Sequence, residues 1–143
     1  MNIILGATGQ IGSAIVKGLV NSGKQVKAVV RNTEKAKARL TDVPLEEADY
    51  TDTAALTRAF EGGDTVFLLT PENPQSEDVI GNTKRILDNY RAAIEKSGIK
   101  KIVGLSSMGA HYDRGTGNLV MSYLLEHAFS GLSAEQVFIR PSY

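Results

Sequence analysis

Segments with strand character and segments with helical spacing follow one another along this chain. Strand character, with β-branched and apolar runs, falls at six places: residues 3–5, 26–30, 44–48, 65–69, 102–105 and 137–139. Helical spacing of apolar residues falls between them, at residues 11–20, 34–40, 53–60, 78–97 and 119–129. Strands that alternate with helices in this way indicate an α/β domain whose parallel sheet is covered by helices on both faces.

The apolar positions also predict which side of each helix faces the sheet. In the first helix Ile11, Ile15, Leu19 and Val20 recur at helical spacing, with Ala14 and Gly18 adding small residues. This helix should end at Ser22-Gly23, since glycine suits the left-handed position after a helix. In the fourth and longest helix, which starts at Ser76 or Asp78 and ends before Gly98, the predicted inner residues are Val79, Ile80, Ile86, Leu87, Tyr90 and Ile94.

Six strands of this kind fit a doubly wound parallel sheet with the order 3-2-1-4-5-6. The paired acids Glu46-Glu47 favour an edge position for the third strand. Asp52 is placed to cap the third helix, and Gly62-Gly63 to end it. In such sheets ligands bind outside the carboxyl ends of the strands, near the point where the strand order reverses.

A glycine-rich turn joins the first strand to the first helix. It reads Gly6-Ala7-Thr8-Gly9-Gln10-Ile11-Gly12, directly after Ile3-Ile4-Leu5. Gly6 allows a tight turn, Gly9 a close backbone approach to a pyrophosphate, and Gly12 close packing of the helix. The free N–H groups at the helix start would then face the phosphates. We therefore predict a Rossmann dinucleotide site built by Gly6, Thr8, Gly9, Gln10, Ile11 and Gly12; the alternative is a glycine turn in another kind of α/β protein.

The end of the second strand indicates which dinucleotide is bound. Domains that prefer NAD carry an acidic residue there, about 20 residues beyond the glycines, to hold the ribose 2′-hydroxyl. This chain has Arg31 and Asn32 instead, with Lys35 one helical turn later. A guanidinium forms charge-assisted bonds to a 2′-phosphate that a carboxylate would repel. We therefore predict NADP(H) over NAD(H), the alternative being that Arg31 and Lys35 are solvated surface charges.

Polar residues that follow the other strands should reach the same crevice. Asp49-Tyr50 follows the third strand, Leu69-Thr70-Pro71 ends the fourth, and Ser106 follows the fifth. Asp49 is positioned to accept a bond from the adenine amino group and Tyr50 to cover the ring, although Asp49 equally suits a turn before the next helix. For Ser106 we expect a bond to backbone or ribose rather than to a substrate.

Composition narrows the class of protein. The chain has 143 residues with 42% hydrophobic content, 16 basic and 16 acidic residues, and no cysteine. A single domain over residues 1–143 is expected. The scattered charges do not favour nucleic acid, no apolar run is long enough for a membrane helix, and two histidines without a carboxylate cluster argue against a metal site. A cytoplasmic location is the resulting expectation.

The motifs together resemble the NmrA-like family of atypical short-chain dehydrogenase/reductases. The likeness rests on the glycine motif, on Arg31-Asn32, on residues 48–52, on residues 106–109, and on Leu125-Glu126 with residues 138–141. The resemblance implies NADP(H) binding. In enzymatic members it implies reduction of quinones, azo compounds or small carbonyl compounds, and in others a redox-sensing role without turnover.

Two departures bear on that expectation. Ordinary short-chain dehydrogenases use Tyr-x-x-x-Lys, but here Tyr112 is followed four residues later by Thr116, and Tyr123 by His127. Relatives in the family also continue well beyond the Arg140-Pro141 pair with segments that complete the substrate pocket. We therefore expect that this sequence is truncated and lacks the C-terminal substrate segment; the alternative is a minimal dinucleotide-binding domain with altered function.

Three functions are compatible with these sequence features. The first is an NADPH-dependent oxidoreductase of a small electrophile such as a quinone, with His111 and Tyr112 as weak candidate proton donors, the favoured alternative being that both are exposed loop residues. The second is a non-catalytic NADP(H) sensor that signals to a protein partner. The third is a sugar-nucleotide epimerase, which would need the absent tyrosine–lysine pair. A homodimer is compatible with each.

Overall fold

Strands and helices alternate throughout the computed structural model, which describes residues 1–71, 73 and 75–142. The strands are β1 (Asn2–Leu5), β2 (Val26–Val30), β3 (Leu45–Glu47), β4 (Thr65–Leu68), β5 (Lys101–Leu105) and β6 (Glu135–Ile139). The helices are α1 (Gln10–Asn21), α2 (Thr33–Ala36), α3 (Thr53–Phe60), α4 (Val79–Ser97) and α5 (Val120–His127), with a 3₁₀ turn at Gly117–Leu119 before α5.

The six strands form one parallel sheet in the order β3-β2-β1-β4-β5-β6, which confirms the predicted doubly wound α/β fold. The order reverses between β1 and β4, whose register pairs Ile3 with Val66. The short strand β3 lies at one edge, as its two glutamates indicated. A crevice therefore opens at the carboxyl ends of β1 and β4, where ligands bind in folds of this kind.

Alternate residues of the central strands enter two separate cores. Ile3 and Leu5 of β1 pack with α3, α4 and α5, whereas Ile4 packs with α1 and the α2 segment. The cores on the two faces of the sheet are both apolar, because a strand buried on each face presents its successive side chains to opposite sides. Each large aliphatic side chain buried in this way stabilises the fold by about 1.5–3 kcal/mol.

The predicted inner face of α1 is partly wrong. Gly12 and Val16 are its buried residues, with Ile15 and Leu19 half-buried, while Ile11 is 44% exposed and Val20 39% exposed. Ala14 and Gly18 also face outward. Apolar residues lie on more than one side of this helix, so spacing alone leaves its rotation open, and the close approach of Gly12 to the loop before it sets that rotation.

Two other helices depart from their predicted limits or faces. The second helix ends at Ala36 rather than Leu40, although Leu40 is still buried. In α4, Ile80 is 48% exposed, whereas Ile86, Leu87, Tyr90 and Ile94 are buried as predicted. Ile80 lies in the first turn of α4, next to the half-buried Val79, so the exposed face of the helix begins at this position.

Helix ends follow the predicted caps. The Asp52 carboxylate accepts the Ala55 N–H at 3.0 Å, and the Asp78 carboxylate accepts the Gly81 N–H at 2.9 Å. Gly23, just after α1, adopts a left-handed φ of 72°. None of the helices in the described ranges is long and apolar enough to cross a membrane.

Candidate functional site

The glycine loop between β1 and α1 folds back on itself. Gly6 has a φ of 62°, and a Cβ atom there would lie 2.6 Å from Leu69 Cδ2. The Gly9 N–H donates to the Gly6 carbonyl at 3.0 Å. A Cβ atom on Gly12 would lie 2.1 Å from the Gly6 carbonyl oxygen. The loop thus brings the start of α1 against the end of β1 at a separation that a side chain at Gly12 would prevent.

The N-terminus of α1 is left open towards solvent. Its first backbone bond is donated by Ser13 to the Gly9 carbonyl, so the N–H groups of Gln10, Ile11 and Gly12 have no partner within the helix. Gly9 precedes the helix, and no side chain of the described residues caps this end. Gln10 and Ile11 therefore present backbone donors to an anion, while their side chains are exposed.

Two buried tyrosines hold the glycine loop and the end of β4 by hydrogen bonds. The Tyr50 hydroxyl accepts the Gly6 N–H at 2.9 Å, and the Tyr90 hydroxyl donates to the Leu69 carbonyl at 3.1 Å. The two rings meet edge to face at 5.7 Å between centroids. Burial raises the pKa of Tyr50 and raises that of Tyr90 well above its usual value, so both remain neutral phenols. Tyr50 was expected to cover an adenine ring; it lies only 8% exposed, at the floor of the crevice.

One large cleft of the crevice, of about 570 Å³, lies beside the glycine loop. It gathers eight of the predicted cofactor residues from the ends of four strands: Gly6, Thr8, Gly9, Arg31, Asp49, Tyr50, Leu69 and Pro71. Thr51, Asn73, Asn82 and Ile86 complete its lining and were missed by sequence reasoning. The signal for Asn82 and Ile86 was their place near the start of α4, which follows the β4 end.

Asp49 is held in a turn within this cleft. Its Oδ1 accepts the Thr51 N–H at 2.8 Å and the Thr51 hydroxyl at 2.7 Å. These two bonds, followed by the Arg31 charge, hold the pKa of Asp49 below its usual range. The turn interpretation of Asp49 is therefore what the structure shows, and a bond to an adenine amino group stays a prediction for a side chain that also lines the cleft.

A second cleft of about 470 Å³ adjoins the first at the end of β2. Thr8 and Arg31 line both clefts, and Val30, Asn32, Lys35 and Arg39 complete the second. Asn32 is occupied in capping α2, because its Oδ1 accepts the Lys35 N–H at 3.0 Å. Arg39 was missed by sequence reasoning, although its position four residues after Lys35 was the available signal.

A third cleft, of about 270 Å³, lies at the ends of β4 and β5. Its lining carries no charged side chain and consists of Leu69, Thr70, Leu105, Ser106, Ser107, Asn118, Leu119, Met121 and Ser122. The Ser106 hydroxyl donates to Glu126 Oε1 at 2.6 Å. Arg140 holds the same carboxylate from the other side, with Nε to Oε1 at 2.8 Å and Nη2 to Oε2 at 2.6 Å. Arg140 and Ser106 together lower the pKa of Glu126.

The two candidate proton donors do not line these clefts. His111 and Tyr112 are exposed on the loop after β5, with their ring centroids 4.0 Å apart. Neither belongs to the lining of the three clefts described above. The structure therefore does not bring His111 or Tyr112 together with Ser106 and Thr70.

The sequence that builds this glycine loop and crevice matches a known family. The sequence pattern of proteins described as NAD(P)H-binding matches residues 6–140 of this chain. The chain belongs to this NAD(P)H-binding family. Its ligand is therefore a nicotinamide dinucleotide, as the glycine motif predicted.

Curated relatives share the domain over part of their length. A (4-alkanoyl-5-oxo-2,5-dihydrofuran-3-yl)methyl phosphate reductase of Streptomyces griseus is 32% identical over 108 residues, which cover 76% of this chain and 35% of the relative. Quinone oxidoreductase 2 of Escherichia coli is 36% identical over 92 residues, covering 59% of this chain and 32% of the relative. The chain thus spans about a third of the length of these relatives.

Solved structures show the same fold. The triphenylmethane reductase of Citrobacter sp., complexed with NADP(H), superposes with a TM-score of 0.84 at 23% identity, over 99% of this chain and 49% of that one. The NADPH-dependent quinone oxidoreductase of Escherichia coli, complexed with NADPH, superposes with a TM-score of 0.79 at 27% identity, over 100% of this chain and 49% of that one. These neighbours are of the NmrA-like, atypical short-chain dehydrogenase/reductase class, which confirms the predicted resemblance.

Proposed function

We propose that this chain binds NADP(H) in preference to NAD(H) and acts in the NADPH-dependent reduction of a small electrophile such as a quinone. The observation that carries the proposal is the row of three clefts along the carboxyl edge of the sheet. The cleft at the end of β2 is cationic, and the cleft at the ends of β4 and β5 carries no charge. The glycine loop lies between them.

The residues present fit a dinucleotide phosphate. The site has two features that an anion requires, namely free backbone donors at the start of α1 and a loop without side chains at Gly6 and Gly12. Arg31 and Lys35 would hold a ribose 2′-phosphate in the cationic cleft. Leu69, Thr70 and Ser106 would hold the nicotinamide end, because they line the uncharged cleft.

The chemistry of the uncharged cleft follows from its hydrogen bonds. Bound NADPH supplies the hydride, so the protein has to bind, orient and exclude water. The Ser106 proton is engaged by Glu126, which leaves the Ser106 oxygen as an acceptor for a ribose hydroxyl or an amide. A lining without charged groups suits an uncharged acceptor, and relatives named as quinone oxidoreductases support that choice.

The cofactor preference is tested by Arg31→Glu. Calorimetry should show tighter binding of NADPH than of NADH by the unchanged chain. The variant should bind NADPH about tenfold or more weakly with NADH little changed, because a charge-assisted bond to the 2′-phosphate becomes a repulsion. Lys37→Glu is the matched control, since Lys37 pairs with Glu34 at 2.8 Å and does not line the cleft. Equal affinity of the unchanged chain for both dinucleotides would refute the preference.

Catalysis is tested by following NADPH oxidation with a panel of uncharged quinones. We expect quinone-dependent oxidation that is faster with NADPH than with NADH at low cofactor concentration. The same preparation without a quinone is the control for oxidation by oxygen. Tight NADPH binding without turnover of any quinone would contradict the oxidoreductase proposal.

A second candidate is a non-catalytic NADP(H) sensor that signals to a protein partner. Two observations favour it, since His111 and Tyr112 lie outside the clefts and the Ser106 proton is engaged by Glu126. The sequence also lacks Tyr-x-x-x-Lys. The turnover experiment separates the two candidates, because both require NADPH binding and only one requires oxidation.

A further inference from the structure

We propose that Arg39 is a third phosphate-binding cation of the NADP(H) site, beside Arg31 and Lys35, and contributes to the choice of NADPH over NADH. This inference rests on the proposed preference for NADP(H). Arg39 lies just beyond α2 and lines the same cleft of about 470 Å³ as the other two cations. The three side chains come from the end of β2, from α2 and from the segment after it.

One contact connects Arg39 to the glycine loop. Its Nη1 donates to the Thr8 carbonyl at 3.1 Å, and Thr8 lines both the cationic cleft and the large cleft. A guanidinium carries five N–H donors in a planar fork. The bond to Thr8 uses one of them, so the others remain for the oxygens of an anion in the same cleft. Arg39 can therefore join the glycine loop to a bound 2′-phosphate.

Within the described part of the chain, the positive charges of the cationic cleft have no ion-pair partners, which supports the proposed binding of a phosphate. Among the residues that the structure describes, Arg31, Lys35 and Arg39 take part in none of the ion pairs. The neighbouring acids have other partners, since Glu34 pairs with Lys37 and Glu47 accepts the N–H and hydroxyl of Thr33. Asp49, whose pKa responds to Arg31, is bound by Thr51. A phosphate dianion would supply the counter-charge that the cleft lacks.

The geometry distinguishes two roles for Arg39. If it binds the 2′-phosphate, its removal weakens NADPH binding and leaves NADH binding unchanged, because NADH has no phosphate at that position. If it only holds Thr8 and the glycine loop, its removal weakens both dinucleotides equally, because both place a pyrophosphate at the loop. Selectivity is therefore the quantity to measure.

The experiment uses the 143-residue chain with two substitutions of Arg39. Arg39→Met removes the charge and leaves an unbranched side chain, and Arg39→Lys retains the charge. Lys37→Met is the matched control, because it removes a cation of the same segment outside the cleft. Calorimetry measures binding of NADPH, of NADH, and of the fragments adenosine 2′,5′-bisphosphate and 5′-AMP. We expect Arg39→Met to lower the affinity for NADPH and for the bisphosphate about tenfold, and to change the affinity for NADH and 5′-AMP by less than about twofold. Arg39→Lys should retain part of the preference, and Lys37→Met nearly all of it.

Salt gives a second readout. NADPH binding by the unchanged chain should weaken more steeply with salt than binding by Arg39→Met, because screening acts on each exposed charge that contributes. If Arg39→Met lost affinity for NADPH and NADH equally, or kept its NADPH affinity unchanged, the role of Arg39 would be overturned while the NADP(H) preference stands. A lack of preference in the unchanged chain would overturn both, and is seen before any variant is made.

Discussion

Gly12 shows how one residue can be required by its neighbours rather than by its own conformation. Its spacing from Gly6 and Gly9 predicts close packing of the helix, and the structure identifies the contacted atom as the Gly6 carbonyl oxygen. Gly18 lies on the same helix with no atom within 4 Å of its Cβ position. The two glycines therefore respond oppositely to the same substitution.

Gly12→Ala should both destabilise the fold and weaken dinucleotide binding. Its Cβ would lie 2.1 Å from the Gly6 oxygen, so α1 or the loop must move, at a cost of about 1–3 kcal/mol in the free energy of unfolding. Gly18→Ala, the matched control, should raise the free energy of unfolding by about 0.5–1 kcal/mol. Urea unfolding and NADPH calorimetry measure the two effects. A Gly12→Ala chain as stable as the unchanged one would contradict the packing argument.

Glu126 connects three elements at the β5 end of the crevice. Its carboxylate on α5 binds the Ser106 hydroxyl at the end of β5 and the Arg140 guanidinium after β6. The arrangement ties α5 and β6 to the strand whose end lines the uncharged cleft. Because Arg140 and Ser106 lower the pKa of Glu126, the charged form is the one that the folded chain favours.

Glu126→Gln tests this connection through its pH dependence. A lowered folded pKa stabilises the fold above the ordinary glutamate pKa of about 4.3, and that contribution is lost as the pH falls through the folded pKa. The free energy of unfolding of the variant should therefore be about 1–2 kcal/mol lower than that of the unchanged chain at neutral pH. The difference should shrink as the solution is acidified below about pH 4.

The control for that measurement is Glu135→Gln. Glu135 faces Lys101 at 3.7 Å with a 65% exposed side chain, so its loss should change the free energy of unfolding by less than about 1 kcal/mol. Urea unfolding at neutral and acid pH measures both variants. A Glu126→Gln effect that stays constant on acidification would contradict a contribution from the charged carboxylate.

At the scale of the whole molecule, the strand order creates the site. The residues that line the crevice are as distant in sequence as Gly6 and Ser106, and no local signal connects them. They meet because β2, β1, β4 and β5 are neighbours in the sheet and all end at the same edge. The charge of the crevice therefore changes along the sheet, from the cations beyond β2 to the uncharged lining beyond β4 and β5.

Much of the fold could be read from local patterns. The six strands and the caps at Asp52 and Asp78 follow from short-range chemistry, namely apolar runs and side chains that accept helix N–H groups. The strand order follows instead from the doubly wound arrangement that an alternating α/β chain adopts. The rotation of α1 and the early end of α2 follow from neither. They depend on contacts between distant residues, such as Gly12 against Gly6 and the burial of Leu40 outside any helix.

Local sequence was enough to predict the α/β fold class and the binding of a nicotinamide dinucleotide, because glycine spacing and strand runs each act within a few residues. The basic residues after β2 add the proposed preference for NADP(H). The groups that these side chains contact depend on the tertiary structure. It placed Tyr50 beneath the loop, bound Ser106 to Glu126, left His111 and Tyr112 outside the linings of the three clefts, and brought Arg39 to Thr8. The reason is physical, since hydrogen bonds and burial between distant segments depend on how helices seat on the sheet, which no single segment specifies.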